Sequence, residues 1–334
     1  MLERMRIAIV GAGAVGGTFG ARLSAAGHEV TFIARGTTLE RLQRQGLTFT
    51  DLGETATYRI PTVATLAEVD RPECVILATK ALGENVVASG VFDGVEPLPV
   101  VLTQNSVEAP GRIADALGTV WPTTPGEHWV IPGVVRGFMH YQAPAEVAFL
   151  PGPLSLTVGP LPGTGQAARA AARRLMDAFH VADMGGEYRE DILVDVWMKA
   201  MFVATFGALG CAARARLGVL LAGRADGGLR EQFIALIDEV ARTGRACGVP
   251  LAEDAVAATV RFAEGLDPSS TTSMQRDFLD GLPCEFDAQL PAVVRMAARA
   301  GVQVPTAAAV CGLVELELAR RAGRQPQALQ AGER

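Results

Sequence analysis

The sequence predicts an α/β protein in which a doubly wound parallel sheet is followed by an all-helical C-terminal domain. Two patterns predict it: short apolar strands alternate with helical segments in the first half, and nearly everything after Tyr188 has helical character. In addition, 334 residues of which 49% are hydrophobic are enough for a full core, in about two domains.

The pattern fixes the expected elements and the expected domain boundary. The predicted strands are Arg6–Val10, Glu29–Ala34, Glu73–Thr79, Leu98–Thr103, Glu146–Phe149 and Ser155–Val158, the last two antiparallel. Helices are predicted over Ala14–Ala26 and Gln166–Phe179, with further helical segments between the first strands. We place the boundary near Gly185-Gly186, which gives domains 1–186 and 187–322 and a polar tail over 323–334.

Composition excludes several classes of protein. A formal charge of -6 argues against general nucleic-acid binding. The five cysteines are scattered and form no CxxC pair, so we expect neither a metal site nor disulfides, and a cytoplasmic location. The sequence shows no signal peptide, and the apolar segment Val194–Leu209 contains Asp195 and Lys199, so we predict a buried helix and no membrane association.

The first strand leads into the sequence GAGAVG, formed by Gly11, Ala12, Gly13, Ala14, Val15 and Gly16. In a Rossmann-type dinucleotide site the first glycine permits a tight turn, the second lets the backbone approach a pyrophosphate, and the third lets helix and strand pack closely. The helix N-terminus then offers N–H groups to the phosphates. The alternative is an ordinary glycine turn.

Arg35 indicates which dinucleotide binds. An NAD site usually has an acidic residue at the end of the second strand, for the ribose 2′-hydroxyl. Here that place holds Arg35, whose guanidinium suits a 2′-phosphate, and Lys80 ends another strand. The sequence therefore favours NADP(H), the alternative being that both are solvated loop cations.

Lys199 is a single cation in an apolar helical segment, on one face with Asp195, Val203 and Gly207. Desolvation should lower its pKa, which suits a proton donor near neutral pH. The alternatives are a lysine that extends to the surface, or one paired with Asp195.

Two further segments contain candidate polar groups. The hydroxyl-rich run Ser269–Ser273 suits a carboxylate. Glu285 follows Pro283 closely, as an acidic residue in the first turn of a helix does, so a capping role is its alternative.

Together these segments resemble the ketopantoate reductase (2-dehydropantoate 2-reductase) family over almost the whole chain. The stretches that carry the resemblance are IAIVGAGAVGG, Arg35, ILATKA (Ile76–Ala81), TQNS (Thr103–Ser106), GFMHYQ (Gly137–Gln142), WMKAM around Lys199, TSMQRD (Thr272–Asp277) and CEFD (Cys284–Asp287). The resemblance implies NADPH-dependent reduction of a 2-oxo acid, in a cleft between a Rossmann domain and a helical domain.

The resemblance also implies roles for individual residues. Lys199 matches the lysine that donates a proton to the carbonyl oxygen, and Glu285 the glutamate that contacts substrate hydroxyl and cofactor. Ser273 matches the serine that binds the carboxylate, and Asn105 the asparagine between nicotinamide and substrate.

The substrate side departs from the family pattern. Asparagines common in the family are replaced by Val203, Gly207 and Ser270, and the chain has no asparagine after Tyr188. Val203 offers no hydrogen bond and Gly207 leaves space, so we predict a roomier, more apolar pocket.

Several alternatives follow from these departures. The substrate is ketopantoate or a bulkier, more apolar carbonyl compound, with an imine as a more remote option. A non-catalytic NADPH-binding sensor would need the glycine loop but not Lys199, Glu285 and Ser273 together. His140 is not predicted to be catalytic, and the C-terminal helices have apolar faces that fit a homodimer or the same chain.

Overall fold

The computed structural model describes residues 4–82, 86–121, 126–223 and 227–323. The strands are β1 (Arg6–Val10), β2 (Glu29–Ile33), β3 (Leu47–Asp51), β4 (Glu54–Tyr58), β5 (Thr62–Val63), β6 (Cys74–Leu77), β7 (Val100–Leu102), β8 (Val130–Ile131), β9 (Gly133–Ala143), β10 (Glu146–Val158) and β11 (Gly185–Tyr188). The helices are α1 (Ala14–Ala25), α2 (Gly36–Gln45), α3 (Ala109–Val120), α4 (Gln166–Val181), α5 (Ile192–Ala213), α6 (Leu217–Leu221), α7 (Leu229–Ala246), α8 (Ala255–Glu264), α9 (Ser273–Leu279), α10 (Leu290–Ala300) and α11 (Pro305–Arg321).

The first sheet has the order β5-β2-β1-β6-β7-β8, and all its pairings are parallel. Its central strands are buried on both faces, as their continuous apolar runs require. In β1, Ile7 and Ile9 enter one apolar cluster while Ala8 and Val10 enter another on the opposite face. The doubly wound parallel sheet is therefore confirmed.

The second sheet has the order β11-β10-β3-β4, and β9 also pairs with β10. The prediction of helical segments between the strands at 73–79 and 98–103 is wrong for the described residues, since 86–94 form turns and not a helix. The antiparallel hairpin of β3 and β4 over 47–58 was not predicted. The two short strands predicted over 146–158 are one strand, β10, whose register with β9 shifts between Leu150 and Ser155. Pro151 and Pro153 lie in this interval and lack the N–H that a regular ladder needs.

Contacts divide the chain into two compact units, and the division falls inside α5, between Val196 and Trp197. The first unit holds both sheets, and the second holds the helical C-terminal region together with Ser106–Glu108. The boundary expected near Gly185-Gly186 lies within β11, which pairs with β10. Apart from Gly323, the predicted polar tail lies outside the described residues.

The second unit is built on apolar helix faces. On α7, the buried residues Phe233, Leu236, Ile237 and Val240 recur at helical spacing. Gly244 lets this helix approach Trp197, since a Cβ there would lie 2.9 Å from the indole. Within the described chain, α5 alone is long and apolar enough to cross a membrane (hydropathy 1.7), but 56% of that stretch is buried in the folded protein, as in a core helix.

Candidate active site

The glycine loop follows β1 at the centre of the parallel sheet. Gly11 has a φ of +96°, which glycine adopts without strain, and its N–H donates to the carbonyl of Ile33 at 2.9 Å. A Cβ on Gly11 would lie 3.0 Å from Thr79 Cγ2, so the loop passes close to the end of β6.

Gly13 and Gly16 differ in what surrounds them. A Cβ on Gly16 would lie 2.0 Å from the Gly11 carbonyl oxygen, whereas a Cβ on Gly13 would meet nothing within 4 Å. Ala12 is buried, while Ala14 and Val15 begin α1 half-buried. The first turn of α1 contains no acidic residue, and Gly13 at its N-cap offers no side chain to the N–H groups. This open, uncapped helix N-terminus fits a pyrophosphate.

Arg35 and Lys80 are exposed at the ends of the strands that flank β1. Val10 pairs in register with Ile33 of β2 and with Leu77 of β6, so both cations and the glycine loop follow the same carboxyl edge. Arg35 is more than a solvated cation, because its Nη2 donates to Ser89 O and to Ser89 Oγ, both at 3.0 Å. Among the residues that the structure describes, Arg35 forms hydrogen bonds through Nη2 alone. Its Nε and Nη1 groups donate to no acceptor among those residues.

The segment that leads to Asn105 is tied to the same edge of the sheet. Thr103 Oγ1 donates to Leu77 O at 3.0 Å, and Gln104 Nε2 donates to Thr79 O at 3.1 Å. Asn105 follows them and is half-buried. The first unit thus brings Asn105 to the edge that carries the glycine loop.

Lys199 lies half-buried on α5 in the second unit. The carboxylate of Asp195, its neighbour one turn earlier, forms ion pairs with Arg136 and Arg189, each at 3.1 Å. The charge of Asp195 is therefore already matched by two arginines.

The prediction of space beside Gly207 is wrong. Gly207 is buried, and a Cβ there would lie 2.7 Å from Met274 Cε and 3.0 Å from Thr272 Oγ1. Gly210, one turn later, is covered in the same way by the side chain of Gln275. These glycines let the start of α9 pack directly on α5, so the missing side chain creates close packing and not a cavity.

Ser273 is placed by this contact. Thr272 is the N-cap of α9 and accepts from Gln275 N at 3.1 Å, while Ser273 is the first helical residue and is exposed. Ser270 is half-buried in the preceding turn, where its carbonyl accepts from Leu217 N at 3.2 Å.

Glu285 is buried, with 9% of its surface exposed. It stands immediately before a short 3-10 turn, Phe286–Ala288, and not within the first turn of a helix as expected. Its side chain makes no capping hydrogen bond to that described turn. The capping role therefore does not account for this carboxylate.

Sequence reasoning missed an ionic network close to these residues. The carboxylate of Glu108, three residues after Asn105, is 7% exposed and accepts from Arg295 Nη2 and Arg299 Nη1, both at 2.8 Å. Arg295 also donates to Asp287 Oδ1 at 2.8 Å, two residues after Glu285.

The network fixes the charge of Glu108. Burial acts to raise the pKa of Glu108, but the hydrogen bonds and charges of Arg295 and Arg299 outweigh it and hold the pKa below its ordinary value. Among the described residues, neither this network nor any other group of three or more His, Cys, Asp or Glu is arranged to hold a metal ion.

A parallel sheet that carries an open glycine loop and two cations at one carboxyl edge is the fold of a dinucleotide-binding protein. The model of the family described as "Ketopantoate reductase PanE/ApbA" matches residues 7–163, and that of its C-terminal region matches residues 191–317. The chain therefore belongs to the ketopantoate reductase family. It is an NADP-dependent oxidoreductase of the class that reduces 2-oxo acids.

Relatives and solved structures agree with this placement. The chain is 26% identical to a 2-dehydropantoate 2-reductase of Mesorhizobium japonicum (93% of this chain, 97% of the relative) and 28% identical to one of Caulobacter vibrioides (92% and 97%). It is similar to the crystal structure of a 2-dehydropantoate 2-reductase from Methylococcus capsulatus (TM-score 0.81, 26% identity, 98% and 99% covered). The fold is also that of a D-mandelate dehydrogenase solved with NADH and anilino(oxo)acetate (TM-score 0.81, 21% identity, 95% and 100% covered).

Proposed function

We propose that this protein reduces 2-dehydropantoate, or a 2-oxo acid with a more apolar substituent, and that Lys199 is the proton donor. The observation that carries the proposal is the position of Lys199, half-buried in the apolar helix α5. The names of the relatives favour 2-dehydropantoate, and hence a role in pantothenate biosynthesis. Val203 favours the second candidate, because its side chain offers no hydrogen bond to a substrate hydroxyl, and a buried hydroxyl left unpaired costs about 1–3 kcal/mol.

The cofactor side of the proposal uses the first unit. The uncapped N-terminus of α1 binds the pyrophosphate, with Gly13 leaving room for it. The guanidinium of Arg35 binds the 2′-phosphate, and Lys80 adds positive charge at the same edge. When bound, NADPH supplies the hydride for the carbonyl carbon. Asn105 orients the nicotinamide and the substrate for that transfer.

The substrate side uses the second unit. Negative charge develops on the carbonyl oxygen during reduction, and the Lys199 ammonium stabilises that charge and donates the proton. Glu285 keeps Lys199 oriented and charged until the transfer. Ser273, exposed at the start of α9, binds the substrate carboxylate.

The cytoplasmic location and the homodimer remain proposals. The five cysteines are free, as suits a reducing compartment, and burial raises the pKa of Cys74, Cys211 and Cys311 to about 12. Sedimentation of the purified chain measures the oligomeric state.

Oxidation of NADPH in the presence of a panel of 2-oxo acids tests the function. We expect turnover with at least one acid, and a loss of about 10²–10⁴ in rate for Lys199→Ala. Tight NADPH binding without turnover of any acid would instead support a non-catalytic sensor. Turnover of an acid by Lys199→Ala at the wild-type rate would contradict the role of Lys199.

A further inference from the structure

Aromatic and apolar side chains flank the candidate proton donor on α5. Phe202 and Val203 come three and four residues after Lys199. An α-helix turns by about 100° per residue, so viewed along the axis Phe202 lies roughly 60° to one side of Lys199 and Val203 roughly 40° to the other. Both lie about one turn further along the helix than the lysine. Both are half-buried, so each presents part of its surface outside the core of the second unit.

Phe202 belongs to a row of three aromatic rings. It packs on the buried Phe206 with ring centroids 5.5 Å apart, and it meets Phe262 of α8 edge to face at 5.1 Å and 90°. Phe262 is 56% exposed. The row therefore extends from the core of this unit to its surface and passes within one helical turn of Lys199. Aromatic faces and edges exposed in this way are favourable contacts for another apolar or aromatic group.

Two positions that follow Lys199 on α5 offer no polar side chain to a substrate hydroxyl. Val203 has no hydrogen-bonding group, and Gly207 is covered by Met274 and by the Thr272 hydroxyl, which already accepts from Gln275 N. A hydroxyl buried there would lose its water without a replacement, whereas an apolar group would gain from burial.

We propose that Phe202, Val203 and Phe262 form the surface that selects the substrate, and that they accept an aryl or branched alkyl group attached to the carbonyl of the 2-oxo acid. This inference rests on the proposed function. It narrows that function to acids of the phenylglyoxylate or 4-methyl-2-oxopentanoate type, which carry no hydroxyl on the substituent. The reaction is unchanged: the carbonyl carbon gains the hydride and its oxygen gains the proton.

The test compares kcat/KM for phenylglyoxylate, 4-methyl-2-oxopentanoate, pyruvate and 2-dehydropantoate at saturating NADPH. We expect the two apolar acids to exceed pyruvate by about tenfold or more, the discrimination that an apolar contact supplies. Phe262→Ala should lower the kcat/KM for phenylglyoxylate relative to that for pyruvate by about tenfold, mainly by raising the KM for phenylglyoxylate. Val203→Asn should raise the kcat/KM for 2-dehydropantoate relative to that for phenylglyoxylate.

Phe138→Ala is the matched control, since Phe138 is 55% exposed and lies on β9 in the first unit. It should leave both ratios unchanged, and the thermal midpoint of Phe262→Ala should stay near that of the wild type. An equal loss of kcat/KM for every acid in Phe262→Ala, or no preference of the wild type for apolar acids, would overturn this inference and leave the proposed function standing. Failure to reduce any acid while NADPH still binds would instead overturn the proposed function.

Discussion

Alanine at Gly16 tests how the glycine loop combines folding with cofactor binding. The new Cβ would lie 2.0 Å from Gly11 O and 3.0 Å from Ile9 Cγ2. Because a carbon–oxygen contact needs about 3.3 Å, α1 or the Gly11 turn must move by roughly 1.3 Å. Overpacking of this kind costs about 1–3 kcal/mol, and we expect the upper end, since the oxygen belongs to the backbone. The same shift displaces the helix N-terminus, so affinity for NADPH falls as well.

Gly13→Ala is the matched variant. Its Cβ meets nothing within 4 Å, and a φ of -81° suits alanine. Alanine is a poorer N-cap than glycine, which lowers the free energy of unfolding, but it also restricts the unfolded chain, which raises it. The two effects nearly cancel, so we expect a free energy of unfolding within about 0.5 kcal/mol of the wild type. The methyl group still occupies the space where the loop meets the pyrophosphate, and affinity for NADPH should fall about tenfold or more, or about 1.4 kcal/mol.

Thermal unfolding without cofactor and calorimetric titration with NADPH separate the two effects. Gly16→Ala should lose both stability and affinity, and Gly13→Ala affinity alone. Binding of NADPH by Gly13→Ala as tightly as by the wild type would refute the proposed contact between Gly13 and the pyrophosphate.

Three further predictions concern charged residues. Arg35→Asp should weaken NADPH binding far more than NADH binding, and equal losses in a titration of both cofactors would contradict the assignment of the 2′-phosphate. Lys199→Arg should recover little of the activity lost in Lys199→Ala, because a guanidinium is a poor proton donor near neutral pH; steady-state rates of both variants measure this. Glu108→Gln should destabilise the fold by about 2 kcal/mol at neutral pH, between the values for exposed and fully buried ion pairs. Since the folded-state pKa of Glu108 lies below its ordinary value of 4.5, this stabilisation is present above about pH 4.5 and is lost as the pH falls through the lower folded value. The free energies of unfolding of the wild type and Glu108→Gln, measured with denaturant, should therefore become equal in acid. A difference that stays constant at all pH values would contradict an ionic origin of the stabilisation.

The elements predictable from the sequence are those with local signals. The glycine spacing, the apolar run of β1 and the uncapped start of α1 lie within a few residues of one another, and the structure places them as expected. The β3–β4 hairpin also had a signal, which sequence reasoning missed: its strands alternate apolar and polar residues around Leu52-Gly53. Both turn residues have positive φ, as a two-residue hairpin turn requires.

Contacts between distant segments could not be predicted in the same way. Ser89 lies 54 residues from Arg35, and Glu108 lies 187 residues from Arg295, so no spacing rule links them. Gly207 shows the same limit, because the space around a glycine depends on which segment packs against it. The chemistry of the pocket therefore follows from the packing of α9 on α5 and not from the missing asparagines alone.

Transfer of deuterium shows whether the protein passes a hydride from NADPH to the carbonyl carbon of a 2-oxo acid. Wild-type protein is incubated with the panel of 2-oxo acids and with NADPH deuterated at the transferable position of the nicotinamide, and the products are examined by mass spectrometry. We expect a 2-hydroxy acid with one deuterium on its C2 carbon, at a yield that falls sharply in Lys199→Ala. A product without deuterium, or no reduced acid from any member of the panel, would contradict the proposed hydride transfer.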